Sequence, residues 1–211
     1  MGNRAVITSS ADLSGIGIYL HWNGGRDSVE AFLEYCKLHG YRSTEQDRSY
    51  AFARLAQVIG NFFGGGSSVG IDLCKYLDCD NYDNGTYIIR GWEIVGRAFF
   101  SGPEQNEYDR KKMLHEIDLA QPEKERLGDL IDADEIPVGD VKIGDTVYFV
   151  DFDCKVKSGK VIGFGRPGQV VNGCDVSWMP FMDIYGVDHS RNINNYIRTD
   201  TARVLRERSN G

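Results

Sequence analysis

The chain has 211 residues, of which 41% are hydrophobic and 26% charged, and its formal net charge is −7. This composition is that of a folded globular protein and excludes a disordered chain. No apolar stretch approaches the roughly 20 residues of a membrane-spanning helix, and no run of signal-peptide length follows the first residues. We therefore expect a protein without membrane association that stays in the cytoplasm.

The negative charge lies in one part of the chain. Residues 1–134 carry 21 acidic and 14 basic side chains, whereas residues 135–211 carry ten of each. An acidic surface repels nucleic-acid phosphates and favours basic partners. Direct nucleic-acid binding by the first part is disfavoured.

The first predicted elements are two antiparallel strands and a helix. Residues 5–8 are β-branched and short, and residues 16–22 alternate apolar side chains with Gly, Tyr and His. Asp27 is predicted to cap the helix, with Glu30 three residues later completing a capping box. Apolar residues then recur at helical spacing, and Gly40 is predicted to end the helix.

A second helix and further sheet are predicted next. Residues 49–62 carry an apolar stripe typical of a helix, which the glycine run at residues 64–66 interrupts. We interpret that run as a connector and not as a phosphate loop, because it follows a helix C-terminus, where the partial charge is negative. Residues 83–85 predict a turn, and residues 86–95 have strand composition.

A connector and an all-β module complete the predicted organisation. Residues 107–119 and 122–131 predict charged, weakly amphipathic helices that act as a connecting arm. Short strands are then predicted at residues 145–150, 155–164 and 182–187, separated by Gly, Asp and Pro turns. The phrase Ile143-Gly144-Asp145 leads into the first of these strands in the manner of small SH3-like barrels.

The predicted fold class is therefore α+β. An N-terminal mixed sheet with packed helices is expected over residues 1–134, including the helical connector. A small SH3-like β-barrel is expected over residues 135–211.

The loop before the first helix is the strongest candidate for a ligand site. Backbone N–H groups and the dipole at a helix start attract anions, and a guanidinium there can add a charge-assisted hydrogen bond. The predicted ligand-binding residues are Tyr19, His21, Asn23, Gly24, Gly25, Arg26 and Ser28. A purely structural turn is the alternative, because the spacing matches neither a Walker A motif nor a dinucleotide fingerprint and Asp27 adds negative charge.

Neither a catalytic group nor a metal or cofactor site is predicted. His21 could join Tyr19 and Asp27 in an acid–base group, but no nucleophile motif accompanies it. The five cysteines include no CxxC pair, and the four histidines are far apart in sequence. Residues 78–85 resemble a calcium loop in composition only, because Tyr82 and Gly91 would occupy positions that need oxygen ligands. We interpret them as an Asx-rich turn.

A resemblance supplies biological context for the first module. The run from Gly17 to Leu33, with residues 57–65, resembles a group of small uncharacterised proteins from prophages and mobile elements of Gram-positive gut bacteria. No catalytic residues are assigned in that group, so none are carried over to this chain. The resemblance does imply an accessory gene, of the kind that often encodes an inhibitor of host defence.

Three functional hypotheses follow. The first is a non-enzymatic phage accessory protein whose acidic module binds a basic surface of a host nuclease or nucleoprotein, in the manner of an anti-CRISPR inhibitor. The second is a sponge that sequesters a nucleotide-derived signal at the Arg26 loop. The third is a small enzyme that acts on nucleotides or nucleic acid through His21. Charge favours the first, and no catalytic constellation supports the third.

Overall fold

The computed structural model describes residues 2–132 and, beyond them, the strand segments 134–135, 146–150, 156–165, 170–171, 174–175, 184–188, 196–198 and 205–206. The chain divides into two compact units, residues 1–123 and residues 124–211. The boundary predicted at residue 134 stays a prediction. Within the described part of the chain, no helix has the length and apolar content needed to cross a bilayer.

A five-stranded mixed sheet forms the centre of the first unit. Its strands are β1 (Ala5–Thr8), β2 (Ile16–Leu20), β3 (Val69–Leu73), β4 (Thr86–Arg90) and β5 (Glu93–Ala98). They lie in the order β3-β2-β1-β4-β5, and β1 and β4 are the parallel pair. The predicted antiparallel pairing of the first two strands is confirmed, with Ile7 opposite Ile18.

Three helices accompany this sheet: α1 (Arg26–Leu38), α2 (Arg48–Phe62) and α3 (Arg110–Ala120). The predicted α+β class with a mixed sheet and packed helices is thus confirmed for this unit. Ile7, Ile18 and Tyr87 share one sheet face and are fully buried, forming the core with the helices. Side chains alternate along strands, so Val6 and Gly17 lie on the other face.

Residues 74–77 cover that second face. A Cβ built on Gly17 would lie 2.9 Å from Leu77 Cδ1, 3.1 Å from Cys74 Sγ and 3.0 Å from Val6 Cγ1. A side chain at this position would require these three neighbouring side chains to shift, which favours glycine here. Both faces of the sheet are covered, one by helices and one by loop.

Helix ends confirm some of the predicted signals and correct one. Gly40 lies just past α1 at φ +73°, with Tyr41 N–H donating to Cys36 O and Gly40 N–H to Lys37 O. This is the Schellman arrangement. The predicted cap by Asp27 is wrong: α1 begins two residues earlier than predicted, at Arg26, its N-cap residue is Gly25, and no side chain caps it.

The glycine run has the same role at the end of α2. Gly64 N–H donates to Asn61 O and Gly65 N–H to Gly60 O, and both glycines have positive φ. The predicted break after Phe62 is confirmed.

Two predictions about the remaining elements are wrong. Residues 86–95 form not one strand but most of a hairpin, which turns at Gly91 with φ +63°. Helix α3 is not a connecting arm, because Met113, Leu114 and Ile117 are buried and the helix packs on α1 and α2. Residues 122–131 contain short 3₁₀ turns at Glu123–Glu125 and Gly128–Ile131 in place of a helix.

The second unit contains a four-stranded antiparallel sheet. It consists of Thr146–Val150, Val156–Gly165, Ile184–Asp188 and Tyr196–Arg198, in an order that places the long second strand beside the first and third. The predicted strands at 145–150, 155–164 and 182–187 are confirmed within two residues at each end. The Ile143-Gly144-Asp145 motif lies outside the described residues.

Candidate functional site

The predicted ligand loop is packed closely against the sheet. Gly24 N–H donates to Asn3 O at 2.7 Å, and a Cβ built on Gly24 would lie 2.6 Å from Arg4 C. A Cβ built on Gly25 would lie 2.6 Å from Gln105 O. Both glycines are therefore explained by close backbone approach, without a ligand.

Arg26 is held by the protein's own carboxylates. Its Nε donates to Glu30 Oε1 at 2.8 Å and its Nη1 to Glu104 Oε1 at 3.5 Å. The hydrogen bond to Glu30 raises the pKa of Arg26. The guanidinium predicted to receive an anionic ligand thus already contacts two anions.

A strap of residues 99–109 lies over the start of α1. Asp27 is buried there, and its carboxylate accepts hydrogen bonds from Ser28 N–H and Tyr108 N–H, both at 2.7 Å. Glu104 of the strap also forms a two-oxygen salt bridge to Arg97. The helix start is therefore occupied by carboxylates of the same chain.

Ser28 is the exception at this end of the helix. It is fully buried, and its hydroxyl has no hydrogen-bond partner within the described ranges. A buried polar atom without a partner is uncommon, and Asn3 Nδ2 beside Gly25 is a second one among the described residues, so these two atoms are the observations here that favour a ligand.

The other predicted site residues lie elsewhere. Tyr19 shares the loop-covered sheet face with Gly17, and its hydroxyl lies 3.4 Å from His21 Nδ1. Burial raises the pKa of Tyr19. Asn23 adopts a left-handed backbone conformation with φ +55°. No described contact joins Tyr19 or His21 to Arg26, so the predicted residues form two groups and not one pocket.

The loop at residues 74–85, which we call the acidic loop, combines rigidity with an unusual exposed surface. Asn81 is fully buried and holds it from within: Nδ2 donates to Asp78 O and Gly85 O, and Oδ1 accepts from Asp83 N–H and Gly85 N–H. Four hydrogen bonds from one amide fix the loop's path.

Arg4 and Thr86 tie the acidic loop to the sheet. Arg4 Nε donates to Asp83 Oδ2 at 2.6 Å, which raises the pKa of Arg4, and Arg4 Nη1 lies 3.7 Å from Asp78 Oδ2. The Thr86 hydroxyl donates to Cys79 O at 3.0 Å. The middle and the C-terminal end of the loop are thus anchored.

The outer surface of the acidic loop presents two tyrosines between aspartates. Tyr82 is 88% exposed and Tyr76 67% exposed, and Asp78 and Asp80 are also exposed. Tyr82 has φ +57°, a conformation that costs energy for any residue with a Cβ. Neither burial nor a turn requirement explains a tyrosine there, whereas exposed tyrosine is typical of protein-binding surfaces.

Two further exposed aspartates lie outside the loop, and one of them, Asp72, extends its negative surface. Asp72 lies on β3 opposite Gly17, on the same sheet face as the loop. In the turn before β2, hydrogen bonds from Ser10 and Ser14 lower the pKa of Asp12 to about 2. Asp12 therefore keeps its charge throughout the neutral range.

Sequence reasoning treated the acidic loop only as an Asx-rich turn. The turn is present, but its exposed tyrosines were overlooked. A signal was available: Tyr76 and Tyr82 flank a run of Asp and Asn in which no regular apolar pattern buries either ring.

The described residues contain no group of three or more His, Cys, Asp or Glu side chains arranged to hold a metal ion. Comparisons with known proteins give no relative: no family model, no curated protein and no solved structure matches this chain.

Proposed function

We propose that this chain is a non-enzymatic accessory protein of a prophage or mobile element that binds a basic protein surface of its bacterial host through the acidic loop. The partner would be a component of a host defence system, such as a nuclease or nucleoprotein. Inhibition by occupation of that surface, in the manner of an anti-CRISPR protein, is the proposed outcome. The site of action would be the bacterial cytoplasm.

The observation that carries this proposal is the exposed, left-handed Tyr82 on a rigid loop. Tyrosine supplies a large contact area with few rotatable bonds, and aspartates beside it attract lysine and arginine. Because Asn81 and Arg4 already fix the loop, little conformational entropy is lost on binding. Rigid aromatic anchors within a charged rim are the usual anatomy of such interfaces.

The second unit is proposed to be a small SH3-like barrel. Its four-stranded antiparallel sheet supports this, as does the hydrophobic-Gly-Asp motif in the sequence. Barrels of this type have no single function, so the proposal assigns recognition to the first unit only.

Affinity purification of the tagged full chain tests the proposal. A lysate of a Gram-positive gut bacterium is treated with nuclease, so that nucleic acid cannot bridge proteins, and bound proteins are quantified by mass spectrometry. The test variant is Tyr82→Ser with Asp80→Asn. The control, Tyr50→Ser with Glu116→Gln, makes the same chemical changes at exposed positions on the helices.

We expect the wild type and the control to capture a basic host protein that the test variant does not capture. Capture should also weaken with added salt, because exposed charge pairs are screened. Equal capture by the test variant, or a partner that is itself acidic, contradicts the proposal.

The nucleotide-sponge hypothesis is the second candidate, and the unpartnered Ser28 hydroxyl is the observation that favours it. Glu104 would then have to leave Arg26 and Arg97 for an anion to bind. Glu104→Gln should in that case strengthen binding of inorganic phosphate or a cyclic dinucleotide in calorimetry. Absence of binding by both forms contradicts this candidate.

A further inference from the structure

The sheet of the first unit ends in two edge strands, β3 and β5, and no described strand pairs with the outer side of β3. Strand β3 pairs with β2 on one side only, and its Ile71 is 55% exposed. An edge strand presents a row of unpaired backbone groups that can accept another strand.

The register shows which backbone groups point outward. Ser68 O accepts from His21 N–H and Cys74 N–H donates to Gly15 O, so these two pairs are hydrogen-bonded across the ladder. Hydrogen-bonded and non-hydrogen-bonded pairs alternate in an antiparallel ladder. The N–H and C=O groups of Val69, Ile71 and Leu73 therefore point away from β2.

The two sides of this edge differ in chemistry. Ile71 and Leu73 lie opposite Ile18 and Ile16, and Ile71, Leu73 and Ile16 are all exposed at the margin of the apolar sheet face. Asp72 lies on the other face, which the acidic loop shares. The Asp72 carboxylate accepts a hydrogen bond from Leu73 N–H at 2.7 Å, so it covers one of the outward donors in the free chain.

We infer that β3 binds an extended segment of the partner by strand addition, and that this segment alternates apolar and basic residues. Apolar side chains of the added strand would lie beside Ile71 and Leu73. Its basic side chains, on the opposite face, would contact Asp72 and draw that carboxylate from Leu73 N–H. Strand addition obtains affinity from main-chain hydrogen bonds and specificity from alternate side chains.

This inference rests on the proposed function, since it names the way in which the basic partner is held. The charge pattern distinguishes it from dimerisation through β3, because a second copy would bring its own Asp72 to the same edge. A basic strand instead places opposite charge beside Asp72.

A synthetic peptide tests the inference directly. The probe is an end-blocked seven-residue peptide in which arginine and valine alternate, and its control has the same composition with the three valines adjacent. Amide hydrogen exchange of the full chain is followed by NMR with each peptide. We expect the alternating peptide alone to slow exchange of Val69 and Ile71 N–H, with no slowing beyond the existing protection at Gly70 and Asp72.

Ile71→Pro supplies the matched variant. Proline removes an N–H that points away from β2, and proline is tolerated on edge strands at such positions. We expect Ile71→Pro to weaken peptide binding at least about tenfold, and Ile71→Val to retain it. Asp72→Lys, which leaves the backbone unchanged, should also abolish binding and serves if the proline variant is unstable.

Four outcomes overturn the inference. The first is that the alternating peptide binds no better than its control, and the second is that it binds Ile71→Pro and Asp72→Lys with unchanged affinity. The third is that exchange at Val69 and Ile71 slows with protein concentration alone while a dimer sediments, which makes a second copy the occupant. If the purified host partner depends on Tyr82 but not on Ile71, the proposed function stands and strand addition fails.

Discussion

The side chain of Asn81 hydrogen-bonds both backbone groups of Gly85: its Oδ1 accepts from Gly85 N–H and its Nδ2 donates to Gly85 O, each at 3.0 Å. The amide thereby pairs with Gly85 as a neighbouring strand would. Gly85 itself has φ +63°, and a Cβ there would clash with the backbone oxygen of Ala98. This pairing, together with the space that the glycine leaves, holds the C-terminal end of the acidic loop.

Asn81→Ala should therefore destabilise the first unit by about 1–3 kcal/mol, because it leaves buried backbone groups without partners. Urea denaturation measures the change in the free energy of unfolding. Asp80→Ala, at the adjacent exposed position, should have little effect on stability. Equal stability of Asn81→Ala and the wild type would show that the loop is held by other contacts.

Tyr82→Gly should stabilise the protein by about 0.5–1 kcal/mol, because glycine adopts positive φ without the steric cost that tyrosine bears. The ring is 88% exposed, so its removal sacrifices little packing. The same variant should lose the captured host partner. A substitution that increases stability and abolishes binding is the result expected at a strained functional residue. A destabilised Tyr82→Gly would mean that the ring supports the fold.

Two glycine-to-alanine substitutions separate the effect of close packing on stability from the effect of backbone entropy. Gly24→Ala should destabilise the fold by about 1–3 kcal/mol, because the added methyl meets the backbone of Asn3 to Ala5. Gly60→Ala, in the last turn of α2 with open space around it, should stabilise by about 0.5–1 kcal/mol. Thermal unfolding of both variants checks the signs, and a tolerated Gly24→Ala contradicts the tight approach of the ligand loop to β1.

Alkaline pH should weaken the fold through Tyr35. Burial, together with the 2.7 Å hydrogen bond to Asp118, raises the pKa of Tyr35. Unfolded tyrosine ionises near pH 10, so the stabilisation is complete below about pH 10 and is lost as the pH rises toward the folded value. The loss is at most about 1.4 kcal/mol per pH unit for this group.

Denaturation curves between pH 8 and 11, in steps, measure this dependence. Tyr35→Phe removes the titrating group, so its free energy of unfolding should fall less steeply with pH than that of the wild type. The comparison is of slopes, because the substitution also removes the hydrogen bond to Asp118. Identical slopes would contradict the buried, protonated state of Tyr35. Burial also raises the pKa of the Cys36 thiol, so Cys36 lowers stability at alkaline pH in both the wild type and Tyr35→Phe.

Local signals predicted the helices of the first unit well. Helix α2 begins at Arg48 and ends at Phe62, within one residue of the expected start, because Asp47 and Gly64 act through hydrogen bonds that span only a few residues. Strand β3 was missed because its sequence contains Gly70 and Asp72 and its side chains are largely exposed. An edge strand needs no buried alternation, so it leaves little pattern to detect.

The ligand-loop prediction shows the limit of local reasoning. Arg26 stands next to a helix start, which predicted an anion partner, and it does contact anions. One of them, Glu104, is 78 residues away in the sequence and reaches Arg26 only through the strap over α1. Pairings of that range follow from the tertiary fold, and no periodicity or motif within the loop could indicate them.

Zero-length carbodiimide cross-linking of the full chain to its purified host partner tests the acidic-loop interface most directly, since the reagent joins carboxylates to amines in contact. The account predicts that Asp78 and Asp80 form the dominant cross-links to lysines of the partner, and that Tyr82→Gly reduces them. Cross-links concentrated on Glu116 and Glu123, with the acidic loop unmodified, would contradict it.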